Sequence, residues 1–225
     1  MARPSGWELL SVALHDCRSP LGVILGYTQM LSEGRVGPLT DRQREVTAAL
    51  MRSARDLNEL VDRLSALVNL ERGTLPFNLQ EVTLASVLMP LAAAGEADGQ
   101  APGRSMSIHG TAGSSRLTAD PIRLRDALGL LAAEVAASDD APLAIRHAVR
   151  RRRGHDVATV VVGTSTSVEV LTDAPPSTLP ERAARPHVGL TLAQCIIEAH
   201  HGRIRFTAGD AFIVELPVAG PDVSG

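Results

Sequence analysis

The chain has no lysine; all 22 of its basic residues are arginine. Chemistry that needs an ammonium group, such as a Schiff base or the lysine of a phosphate-binding loop, is therefore excluded. Aromatic residues make up only 2% of the 225 positions, so the 44% hydrophobic content must build its core from Leu, Val, Ile and Ala. Two cysteines, Cys17 and Cys195, are too few and too far apart for a disulfide framework or a CxxC pair, which suits free thiols in a reducing compartment. No segment reaches the roughly 18 uninterrupted apolar residues of a membrane span. The opening MARPSGWELLSVALHD has a short apolar run and an early acid, unlike a cleavable signal. A net charge of −3 predicts no general affinity for nucleic acid or for a membrane surface. The expectation is a cytoplasmic protein without a sensor segment of its own.

What is present begins with a helix. Leu10, Leu14, Leu21, Leu25, Tyr27 and Leu31 follow helical spacing over residues 7–33, with Pro20 inside the pattern. A Gly- and Pro-rich turn follows at 32–38. Thr40 with Gln43 reads as a capping box opening a second helix, whose Val46, Leu50, Leu57, Val61, Leu64 and Val68 lie on one stripe and whose natural stop is Gly73. One hairpin cannot bury both stripes, so pairing with a second copy into a four-helix bundle is expected.

From about Glu81 short strands alternate with helices, which predicts an α/β sandwich with its helices on one sheet face. Helices are expected at 85–97, 121–138 and 188–201. Strands are expected near 105–109, 115–118, 143–149, 157–162, 168–172, 204–206 and 212–216. The domains read as 1–73, a linker at 74–80, the sandwich at 81–218 and a tail at 219–225. The four arginines 150–153 fall at an expected hairpin turn and read as a solvated turn. Cys195, His200 and His201 fit no zinc spacing, so no metal site is expected. Cys17 reads as a small buried hydrophobe.

The chemistry concentrates at His15-Asp16-Cys17-Arg18-Ser19-Pro20-Leu21. An exposed helical imidazole can attack phosphorus through one ring nitrogen. An adjacent carboxylate can hold the tautomer or take the proton. Arg18 offers charge compensation, and Ser19, one turn on, can align water. These residues, continuing into Gly22-Val23-Ile24-Leu25-Gly26-Tyr27, resemble the phospho-acceptor box of two-component sensor histidine kinases. Leu67-Val68-Asn69-Leu70-Glu71-Arg72-Gly73 resembles the end of their dimerisation and histidine-phosphotransfer domain. The resemblance implies a dimer with His15 as acceptor and Asp16 as its assistant.

Residues 81–218 resemble the family's ATP-binding domain. The matching segments are Asp120-Pro121-Ile122-Arg123-Leu124 before the metal-binding helix, Val170-Leu171-Thr172-Asp173 at the adenine-binding strand, and Gly189-Leu190-Thr191-Leu192 after the lid. The resemblance is to an eroded site. Glu134 stands where the family has its metal-binding Asn, Pro175 and Ser177 replace two box glycines, and His187 and Thr191 replace two more, leaving Asp173, Glu134 and Gly189 as remnants. The pattern is that of dimeric histidine phosphotransferases built from degenerate kinase modules. It implies phosphoryl exchange between His15 and receiver-domain aspartates, with Mg²⁺ supplied by the receiver, an upstream hybrid kinase as a further partner, and weak or absent ATP binding. Two alternatives stay open: an active kinase with an atypical ATP site, and a non-catalytic dimeric adaptor.

Overall fold

A computed structural model describes residues 5–97, 106–138, 140–152, 154–173, 187–207 and 211–219, with the backbone alone at 94–97 and 170–173. Its contacts divide the chain into two compact units, Met1–Pro76 and Phe77–Gly225.

The first unit is a helical hairpin of α1 (Gly6–Ser32) and α2 (Asp41–Glu71). Both helices open on capping boxes, Ser5 with Glu8 and Thr40 with Gln43, so their first free N–H groups are satisfied locally. α1 runs unbroken through Pro20, although proline cannot donate to the Asp16 carbonyl. The buried positions recur every seventh residue: Leu14, Leu21 and Thr28 on α1, and Thr47, Ala54, Val61 and Val68 on α2. That interval is the seam of a coiled coil. The Thr28 hydroxyl donates to the carbonyls of Ile24 and Leu25, so it is buried without an unmet hydrogen bond. Gly73 closes α2 with φ 64°, as its sequence position suggested.

The second unit is a five-stranded sheet in the order β2-β4-β5-β7-β6, with a separate β1–β3 pair. The strands are β1 (Gln80–Thr83), β2 (Met106–Gly110), β3 (Arg116–Ala119), β4 (Leu143–Arg152), β5 (His155–Thr164), β6 (Arg203–Phe206) and β7 (Phe212–Pro217). β2 and β4 are parallel and the other pairs antiparallel. The helices are α3 (Leu84–Ala97), α4 (Pro121–Ser138), α5 (Ser165–Asp173) and α6 (Val188–Ala199). Leu124, Leu128, Leu131 and Val135 of α4, with Ile196 and Ile197 of α6, are buried.

Three expectations are corrected. Residues 168–172 are helical, within α5, because Thr164 caps that helix: its hydroxyl accepts from the Ser167 amide at 3.2 Å. A helix-start signal outweighed the β-branched residues behind it. The helices are also not confined to one face. Alternation along β5 sends Val160 and Val162 to one side and Val161 to the other, where it clusters with Val168 of α5, Ala144, Ala211 and Ile213. Arg150, Arg151 and Arg152 are strand and not turn: β4 extends through Arg152, and its pairing partner β5 starts at His155, while Arg153 lies outside the described residues.

The stretch from Phe77 belongs to the second unit, which shortens the expected 74–80 linker. The Asp120 carboxylate accepts from the Asn78 amide at 2.9 Å and caps α4 through the amides of Ile122 and Arg123. The Asp120 amide donates to His200 Nε2 at 3.0 Å, and the Phe77 ring meets the His200 imidazole edge-on. Asp120→Ala removes a helix cap and orphans a tertiary amide bond, so it should lower unfolding free energy by about 2 kcal/mol in urea titration. α6 ends on His201 in the left-handed region (φ 57°), not on Gly202. Gly202 is required for packing, since a Cβ there would meet the Glu215 carbonyl at 2.8 Å.

Burial pushes the His147 imidazole below its ordinary pKa, and its Nδ1 accepts from the Ala112 amide. The pKa of Asp120 is also lowered: burial pushes it up, but the amides of Arg123, Asn78 and Ile122 outweigh that. Both folded values are depressed, so both groups stabilise the fold above their unfolded pKa and lose that contribution as pH falls. Stability should therefore decline below about 6.5, the ordinary histidine value, and again in the carboxylate range. Denaturant melts across that span check it; stability that rises on acidification would contradict it.

Candidate functional site

His15 lies on the third turn of α1, one residue beyond the buried Leu14, and is exposed. A step of about 100° per residue turns it out of the seam that Leu14 and Leu21 fill. Ser19, four residues on, shares its face, and Arg18 flanks it at three. The side chains of His15, Asp16 and Ser19 are exposed and make no hydrogen bond to another described residue. Both imidazole nitrogens are thus open to an incoming phosphoryl group, with the Asp16 carboxylate on the adjacent flank.

Arg18 is more constrained than its sequence suggested. Its guanidinium donates to Asp62 Oδ1 at 3.2 Å and to Ser65 Oγ at 2.8 Å, bridging α1 to α2. Asp62 in turn accepts from Asn58, and Ser65 donates to the Val61 carbonyl at 2.7 Å. The bridge fixes the α2 surface beside the histidine. Sequence reading missed Asp62 and Ser65, because no local pattern announces a contact 44 to 47 residues away.

The residues expected as remnants of a nucleotide site make other contacts. Glu134, half-buried on α4, is hydrogen-bonded through its carboxylate to His187 Nε2. His187 Nδ1 accepts from the Leu190 amide at 3.4 Å and so caps α6. The two contacts agree on one tautomer, with the proton on Nε2 and donated to Glu134. Gly189 is not in a phosphate-binding turn. It is the second residue of α6, where a Cβ would meet the His187 ring at 3.3 Å. Asp173 ends α5 instead of a strand. The strand before that helix, β5, ends on Thr164. Pro175, Pro176 and Ser177 lie outside the described residues.

Among the described residues no cluster of three or more His, Cys, Asp or Glu side chains could hold a metal. No helix among them is long and apolar enough to cross a membrane. Cys17 is exposed within one chain, not buried.

Residues 8–73 match the His Kinase A (phospho-acceptor) domain family. Over 77 residues, 34% of this chain and 10% of the relative, the sequence is 32% identical to the circadian input-output histidine kinase CikA of Synechococcus elongatus. Over 78 residues, 34% of this chain and 8% of the relative, it is 30% identical to the cell-division control histidine kinase PdhS of Brucella ovis. The chain thus matches about a tenth of the length of these curated relatives. In fold, 95% of it superposes on 46% of full-length ShkA, crystallised in complex with AMPPNP, with TM-score 0.67 and 20% identity. It also covers 98% of the histidine kinase AdeS of Acinetobacter baumannii, using 92% of its own length, with TM-score 0.54 and 15% identity.

Proposed function

Since this chain belongs to the two-component sensor histidine kinase family, we propose that it is a phosphorelay protein whose His15 takes a phosphoryl group from one receiver-domain aspartate and passes it to another. One observation carries this reading. The acceptor face is open, while the carboxylate that would face nucleotide-bound metal is engaged by His187.

In the transfer, a ring nitrogen of His15 attacks phosphorus, the P–O bond to the receiver's aspartate breaks, and that carboxylate leaves. Asp16 takes or holds the proton on the other ring nitrogen as the P–N bond forms. Arg18, though tied to Asp62 and Ser65, keeps a partly exposed guanidinium one turn from His15 and offsets charge on the transferring group. Ser19 aligns water for hydrolysis when no receiver is docked. Mg²⁺ belongs to the receiver's site and arrives with it.

The described residues do not fit a nucleotide. Thr164 offers no carboxylate at the end of β5, Glu134 is already paired, and Gly189 is helical. The ATPase-like unit is then a docking surface in place of a catalytic one. On this reading the protein is a cytoplasmic homodimer, and the exposed Ile24, Leu50 and Leu57 of the helical hairpin support the pairing. An upstream hybrid kinase would supply the first phosphorylated receiver.

Mixing the chain with prephosphorylated receivers should place acid-labile phosphate on it, whereas Mg²⁺-ATP alone should label nothing and give no calorimetric signal. Labelling by ATP alone would establish an active kinase with an atypical site. Failure of any phosphorylated receiver to label the chain would favour the adaptor.

A further inference from the structure

The sheet face that carries α5 has a second character away from that helix. Alternation along β4 puts Arg146, Arg150 and Arg152 on the side that holds Ala144. Register carries the same face across the sheet. Arg152 stands opposite His155, Thr159 opposite Glu215, Glu215 opposite Arg203, and Ile213 opposite Arg205. Among the described residues, five arginines from two strands, β4 and β6, therefore share one face with a single strand-borne carboxylate, Glu215.

Glu215 organises them. Its carboxylate receives Arg152 at 3.1 Å and Arg205 at 3.5 Å, with only 11% of the side chain exposed. Arg203 is exposed beside it. Two shallow depressions of about 270 and 290 Å³ share Arg152, Arg203 and Glu215. Glu198 lies at the rim of the first, and His155 and His201 line the second. Even with Glu198 counted, the face is cationic on a chain whose net charge is −3.

We propose that this arginine face docks an acidic polypeptide segment of a partner protein. The chemistry of the patch favours that occupant. Guanidinium groups pair with carboxylates in a planar fork, and Glu215 already displays the pairing. Same-face residues on a strand recur about every 6.6–7 Å, so the β4 arginines match the same-face side chains of an extended acidic peptide. A polyphosphate backbone or an anionic membrane would meet the opposing net charge of the whole chain over a much larger contact.

The test uses the full chain and a short fluorescent poly-glutamate peptide at low ionic strength, read by anisotropy. Arg146→Gln with Arg203→Gln leaves both Glu215 ion pairs in place, so the sheet keeps its internal contacts. That double variant should weaken binding by about tenfold, with an unchanged circular dichroism melt. Arg42→Gln with Arg52→Gln, an equal charge loss on exposed positions of α2, should leave binding within about twofold. Absence of peptide binding, or equal losses in the two double variants, overturns the proposal. So does tighter binding of single-stranded DNA or phosphatidylserine vesicles that responds to the same sheet substitutions.

Discussion

Replacing His15 with alanine should reduce receiver-derived acid-labile phosphate on this chain to background. The expectation follows from chemistry and placement together. Phosphoramidate formation needs a ring nitrogen, and no other histidine of the hairpin exists to substitute for it. His15 is exposed and contributes nothing to the Leu14–Leu21–Val61–Val68 cluster, so the variant should melt like the parent and its loss will be a loss of chemistry. Asp16→Asn should fall between the two, with transfer slowed by about a hundredfold, the ordinary scale of a positioned proton acceptor. Quench-flow with a phosphorylated receiver separates these outcomes. An Ala variant that still carries acid-labile label would place the acceptor elsewhere and end the proposal.

Much of the fold was readable in the sequence, and the reasons differ by region. The hairpin was legible because caps and heptads are local. Thr40 with Gln43, Gly73 and the apolar spacing sit within a few residues of the groups they serve. The surroundings of Glu134 were half legible. Substitutions at box positions could be seen, but not that Glu134 had acquired His187 as a partner 53 residues away. Residues 165–173 misled because Val168, Val170 and Leu171 favour a strand by composition, whereas the cap at Thr164 is set by one hydroxyl. The arginines misled for a related reason. A run of like charge resembles a turn, yet alternation within a strand can point every second charge the same way. Tertiary context decided both.

The second large effect concerns assembly. On both helices the buried seam fills only one of the two inward heptad positions. Taking Thr47, Ala54, Val61 and Val68 as the first, the other on α2 falls at Leu50, Leu57 and Leu64. Leu50 and Leu57 are 51% and 48% exposed, and Ile24, in the corresponding place on α1, is 47% exposed. Leu64, nearest the packed end, is partly covered by the hairpin itself. A second copy would bury the rest, at roughly 1 kcal/mol for each half-exposed leucine. Leu50→Glu with Leu57→Glu should therefore do more than lose apolar contact. A symmetric dimer would enclose four new carboxylates, each desolvated without a partner. The dissociation constant should rise by at least about a thousandfold, near 4 kcal/mol, and sedimentation equilibrium should change from dimer to monomer. Helicity should persist, because the seam at Ala54 and Val61 is untouched. A parent chain that sediments as a monomer would instead leave the exposed stripe to a different partner helix, and the receiver would then have to dock on a two-helix surface.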